Sequence, residues 1–436
     1  MTDPIGPLDR VVVSGPAHVL PSTFPVTTVA TDVIAAATLS VAEYAGLDGD
    51  VTIDTRHAAT AVRSERYLRL VGREPAPLWD AIAGDYATRD GWIRLHTNYP
   101  HHRATALAVL GAVEERDAVA TAVRGWAADD LEAEVVAAGG AAAVMRTAEE
   151  WRHHVHGRDL VGAPALTVEP IGDGPPVEAP LDRLRVLDLT RVIAGPVASR
   201  FLAGWGADVL RVEAPGFSDG TTLAIDVGIG KRSCGLDLRH PDDRACFERL
   251  VAGADVVVHG YRPGALAGLG YPDDVLAALR PGLVIASLSA YGPVGPWAGR
   301  RGFDSLVQMS SGIAAAGAAA VGADHPVPLP CQLLDHATGY LLALGILRAR
   351  RRQRAEGGTW SVGASLACTA AWLSEMDRVN ALDVPEPSAS DTAPWLESSV
   401  TPWGEAVHVR PPGAVGGRTP RYRRPPSRPR ADRPEW

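Results

Sequence analysis

Apolar runs separated by segments of helical length recur in the second half of the chain: LRVLDL at 184–189, ADVLRVE at 207–213, ADVVVHG at 254–260 and GLVIASLSA at 282–290. Strands apolar along their whole length need cover on both faces, so this rhythm predicts a parallel sheet between helical layers. Ligands of such sheets bind at the C-terminal ends of the strands. The first run leads through Ala194, Gly195 and Pro196 into a small-residue helix. That turn lacks the G-x-G-x-x-G that closes on a dinucleotide pyrophosphate, and Glu213 alone does not replace it. Pro196 suits the first turn of a helix, whose free backbone donors would still accept an anion.

Farther on, LLDHATGYLLALGILRARRRQRAEGG predicts a helix: Tyr340, Leu344 and Leu347 share a face, and arginines crowd the end before Gly357 and Gly358. TWSV then predicts a short strand. Residues 31–61 repeat this order loosely, with an aspartate, a small-residue helix, a glycine turn, a short strand and an Ala-rich segment. Between 80 and 156 the pattern is α+β, with DGWIRL as turn and strand and TAEEW as a capping box opening a helix at Thr147. The Gly/Pro/acid stretch 171–182 reads as a linker, and prolines and arginines from Pro411 onward predict an extended surface tail.

At 436 residues, 46% hydrophobic and 21% charged, the chain has the make-up of a globular protein of two or three domains. Its net charge of -9 argues against general affinity for nucleic acid or an anionic membrane surface. Cys234, Cys246, Cys331 and Cys368 form no C-x-x-C pair, which fits a reducing cytoplasm, and neither a signal peptide nor an apolar run of membrane-spanning length is expected. Positive charge is almost wholly arginine, Lys231 being the single lysine. Two histidine groups, His96, His101, His102 and His153, His154, His156, match no tetrahedral template, so no metal is expected.

Five blocks between residues 180 and 352 resemble the successive motifs of class III CoA-transferases, the CaiB/BaiF family that includes formyl-CoA transferases. They are PLDRLRVLDLTRVIAGPVASRFLAGWGADVLRVEAP, GKRSCGLDLRHPDD, ADVVVHGYRPGALAGLG, SLSAYGPVGPWAGRRGFD and LLDHATGYLLALGILRARRR. DYATRDGWIRLHTNYPHH and VMRTAEEW are similar to the second half of the same family, yet here they come first. The resemblance therefore implies an α/β fold: a Rossmann-like, parallel-sheet CoA-binding and catalytic domain at 180–380 and a smaller α+β domain at 1–175. The domain order is permuted relative to the family, and a Pro/Arg-rich extended segment follows at 381–436.

Carried over block by block, the resemblance makes Asp335 the nucleophile that attacks an acyl-CoA thioester. Ile193 and Ala194 fall where backbone approaches the cofactor, Leu236 and Arg239 at its adenine end and a phosphate. Tyr261 and Ala265 match the wall of the pantetheine channel, and Arg301 a basic position near a phosphate. Coenzyme A enters as part of the substrate with no tightly bound cofactor, the partners are acyl-CoA and a carboxylic acid, and a homodimer is implied. Each residue has a plainer role open to it: Asp335 as a helix N-cap, Arg239 and Arg301 as solvated surface charges, Leu236 and Tyr261 as core. An acyl-CoA racemase of the same fold is the chief alternative, and relatives of that kind carry a histidine where GFD places Phe303. A non-catalytic CoA-binding subunit is the third.

Overall fold

The computed structural model describes residues 3–217 and 220–436. The four apolar runs all become strands of one sheet. In chain order the seven strands of that sheet are β1 (Leu166–Gly172), β2 (Arg185–Leu189), β3 (Asp208–Glu213), β4 (Arg232–Gly235), β5 (Val256–His259), β6 (Val284–Ser289) and β7 (Thr359–Ser365), the four runs being β2, β3, β5 and β6. They lie side by side as β4-β3-β2-β5-β6-β7-β1. All neighbours are parallel except β1, which closes the edge antiparallel to β7. Alternate residues reach opposite faces: Val186, Val256 and Val284 enter one core, Leu187, Val257 and Ile285 the other.

Five helices matter for the site: α1 (Val26–Ala45), α2 (Pro100–Leu110), α3 (Ala194–Gly204), α4 (Asp304–Ser310) and α5 (Leu333–Glu356). Helix α5 runs through the larger core and packs against α1, α3 and the sheet, so even its polar Asp335, His336 and Thr338 are buried. Helix α1 corrects one expectation, since by length and mean hydropathy (1.3) it is apolar enough to cross a bilayer. Its scattered Thr and Ser side chains hide that property in the sequence. In the fold, 78% of that apolar window is buried within the protein.

The loose repeat has a structural counterpart. Helix α1, strand Val51–Asp54 and helix Thr55–Ala61 follow one another just as α5, β7 and helix Leu366–Glu375 do. Strand Val51–Asp54, however, pairs in a separate three-stranded sheet with Val11–Ser14 and Ala414–Val415. The DGWIRL strand (Trp92–Leu95) is central in another, between Gly84–Ala87 and Ala142–Val144. Thr147 opens its helix with the expected capping box. Within the predicted linker, Ile171 and Gly172 end β1 and residues 173–180 carry no helix or strand. In the C-terminal segment, Leu396–Thr401 and Gly404–Val409 form a hairpin. The chain then runs to Trp436, whose indole donates to the Leu250 carbonyl at 2.8 Å.

Candidate active site

The strand order reverses at β2, with β3 and β4 to one side and β5 onward to the other. Loops leaving β2 and β5 therefore diverge at their C-terminal ends, the position where sheets of this topology take their ligands. Four expected residues gather there: Ile193 and Ala194 after β2, Tyr261 and Ala265 after β5. The β2 turn is held from beneath by a sealed polar cluster. Asp188 accepts from Lys231 Nζ at 3.0 Å, from Thr190 N at 2.9 Å and from the Ser199 hydroxyl. Burial pushes the Lys231 amine down to about 8 against the pull of Asp188, whose own carboxyl is held below its ordinary range by Lys231 and Arg211, against its burial. Above the cluster, Val192 adopts φ 69°, a left-handed conformation that strains a β-branched residue and recurs at ligand sites. A Cβ on Gly195 would lie 2.4 Å from Thr190 Cγ2, so only glycine fits the start of α3. Ile193 is the N-cap of α3 and supplies no side-chain hydrogen bond to its first backbone donors.

Asp335 departs from its plainer expectation. Gln332 is the N-cap of α5, and Asp335 is the third residue inside the helix. Its backbone N–H is already satisfied, donating to Asp304 Oδ2 on α4 at 2.9 Å. Among the described residues its carboxylate makes no hydrogen bond or ion pair, though the residue is only 7% exposed. Burial first, then the charges of Asp304 and Glu65, raise its pKa well above the usual carboxylate value. Asp304 is pushed up to about 6, chiefly by burial. One turn on, Gly339 shares a helical face with Asp335, and a Cβ there would meet the Ala194 carbonyl oxygen at 2.5 Å. This close approach presses the Asp335 face of α5 against the start of α3.

Two neighbours of Asp335 escape a reading by motif. Glu65, in the short helix Ser64–Tyr67, pairs with His336 Nε2 at 3.1 Å, both side chains buried. His336 holds the Glu65 carboxyl below its normal range despite complete burial. Nothing in VRSERY marks Glu65, because its partner lies 271 positions away. Asp304 is visible in sequence only as the last residue of GFD.

The remaining expected residues are less uniform. Leu236 is buried in the second core beside Val212 and Phe247. Arg239 is exposed and held by Asp237 through two hydrogen bonds of 2.8 and 2.7 Å. Tyr261 is half-buried, its phenol raised by burial against the charge of Arg191. Arg301 is half-buried too, its guanidinium lowered by burial and by Arg262.

Residues 181–395 match the family described as CoA-transferase family III. The chain is 36% identical over 199 residues to an acetyl-coenzyme A transferase of Hypoxylon pulicicidum, covering 44% of this chain and 33% of that protein. It is 35% identical over 191 residues to a probable fatty acyl-CoA transferase of Mycobacterium tuberculosis, covering 41% and 48%. A solved CaiB/BaiF family protein from Brucella suis is 29% identical over 45% of this chain and 56% of that one, with a TM-score of 0.41. The chain thus spans a third to about half the length of these curated relatives.

Proposed function

We propose that this protein is a class III CoA-transferase that moves CoA from an acyl-CoA to a carboxylic acid through Asp335. The observation that carries the reading is a buried, unpaired carboxylate at the start of a helix packed on the turn between β2 and α3. The Asp335 carboxylate attacks the thioester carbonyl, the C–S bond breaks, and a mixed anhydride and CoA thiolate form. The thiolate attacks the aspartyl carbonyl, expels the donor acid and leaves an aspartyl-CoA thioester. The acceptor carboxylate attacks that thioester and releases the thiolate, which then takes the acceptor's acyl group and restores Asp335. Neither ATP nor water enters, and burial of Asp335 protects the anhydride from hydrolysis.

Around this chemistry Ile193 and Ala194 offer backbone to CoA, Tyr261 and Ala265 line the pantetheine path, and Leu236, Arg239 and Arg301 serve the nucleotide end. Such remote contacts orient the thioester. The matching helix–strand–helix orders at 26–61 and 333–375 support a permuted or partly duplicated unit. On that reading residues 1–175 supply the second-half unit, 180–380 the CoA-binding and catalytic unit, and 381–436 a C-terminal wrap, assembled as a homodimer.

Acyl-CoA thioesters offered with candidate acids, followed by hydroxylamine trapping, test the reading. We expect CoA transfer and a trapped adduct on the peptide containing Asp335, both lost in Asp335→Ala. Unchanged turnover in that variant overturns the covalent route. Exchange of the α-proton with solvent deuterium in the absence of any CoA transfer would favour the racemase, and CoA binding without either reaction the non-catalytic subunit.

A further inference from the structure

Beside the Asp335 cluster lies a group of cations that the covalent chemistry leaves unused. Arg191 follows β2, with its guanidinium carbon 5.3 Å from the Tyr99 ring centroid and 4.4 Å from that of Phe217. Pro100 and the two residues after it begin α2, and this brings His101 and His102 to the same place, their rings 4.2 Å apart. The His102 ring lies 5.9 Å from Phe303, the residue immediately before the Asp304 that binds Asp335. The upstream residues therefore reach Phe303, the neighbour in sequence of the Asp304 that holds the Asp335 N–H.

The group is unbalanced in two ways. Among the described residues no Asp or Glu forms an ion pair with Arg191, Arg262 or Arg301. His102 is 3% exposed, yet both of its ring nitrogens lack a hydrogen-bond partner, and so does the buried Nη1 of Arg191. Buried donors and acceptors are nearly always satisfied, so the orphaned Arg191 Nη1 and the N–H of the His102 ring mark a missing acceptor in one place. Burial and the charges of His101, Arg301 and Arg191 push His102 down to about 3, a cost that an anion between them would relieve. His101 and Arg191 are open enough to solvent for a ligand to arrive.

We infer that Arg191, His101 and His102 form an anion subsite that takes a second carboxylate of the transferred acid, so that the protein prefers dicarboxylic acids to monocarboxylic ones of equal length. Arg301 is left to the CoA phosphates. This inference rests on the CoA-transfer reading for its location, but not for its test.

A phosphate of CoA would satisfy the same donors, so the experiment separates the two sources. Binding to the full-length protein is measured by calorimetry for succinate and glutarate against butyrate and valerate, and separately for adenosine 3′,5′-bisphosphate. The wild type binds the diacids roughly ten-fold or more tightly than the matched monoacids, as a charge-assisted pair implies. In Arg191→Gln and His102→Gln that preference falls to roughly two-fold or less, with bisphosphate affinity unchanged. Arg191→Lys, which keeps the charge on a half-exposed side chain, retains part of it. Equal binding of diacids and monoacids by the wild type overturns the subsite. Loss of bisphosphate affinity in the Arg191 variants overturns it in favour of the nucleotide. Diacid preference in a protein that moves no CoA would leave the subsite standing and remove the transferase reading.

Discussion

The Asp304 carboxylate accepts the backbone N–H of Asp335 at 2.9 Å, so the residue that fixes the start of α5 also sets a negative charge beside the proposed nucleophile. An aspartate whose folded pKa exceeds its unfolded one favours the fold at low pH and loses that contribution as pH rises through the folded value. For Asp304 the window runs from 3.8 to about 6. Asp304→Asn keeps an oxygen for the Asp335 N–H and removes the charge. Relative to wild type it should gain about 1–3 kcal/mol between pH 4 and pH 7 in urea unfolding. On the proposed mechanism, which needs Asp335 ionised, the acid limb of CoA transfer should move to lower pH, because the charge of Asp304 that raises Asp335 is gone.

Removing one member of a buried ion pair strands the other. Lys231→Met leaves Asp188 charged and sealed beneath the β2 turn, and should cost about 3–5 kcal/mol in chemical denaturation. Adding Asp188→Asn to that variant should restore most of the loss, because neither partner is then left bare. A single variant as stable as wild type would show that the pair is idle.

Gly339 offers a steric test of how α5 meets α3. Gly339→Ala puts a methyl against the Ala194 carbonyl and Val197, contacts that backbone cannot easily yield. We expect about 1–3 kcal/mol of destabilisation by overpacking. CoA affinity and turnover should fall further than the stability loss explains, measured at a temperature where the variant is folded.

Glu65 titrates the other way from Asp304. His336 keeps its folded pKa below the ordinary value of 4.5, so its stabilising effect is full above that value and disappears as pH falls through the folded pKa. His336→Ala should therefore destabilise the protein by about 3–5 kcal/mol at pH 7 and by progressively less as the pH falls below 4.5, read from unfolding across that range.

The sheet was legible because its strands are apolar on both faces, and runs at 184–189, 207–213, 254–260 and 282–290 coincide with β2, β3, β5 and β6. Thr147 and the long α5 were legible from capping and periodicity. Strand β1 was hidden, because Leu166–Gly172 carries Glu169 and Pro170 and is an edge strand with an antiparallel partner almost 200 positions away. Asp335 stood out through its motif, yet its place in the third helical position follows from Asp304, which satisfies its N–H from another helix. The pairing of Glu65 and the placing of His102 beside Phe303 depend wholly on tertiary contact, which no local pattern encodes.

The burial of Lys231 reaches beyond the β2 turn. Anhydrides and thioesters acylate amines, and an enzyme that forms them in every cycle exposes its own side chains to that damage. This chain has one ε-amino group, and it is 1% accessible beneath a closed polar cluster. Arginine, which does not take up acyl groups in this way, is the other cationic side chain, so on the proposed mechanism an escaped intermediate would meet no lysine on the outside of the molecule.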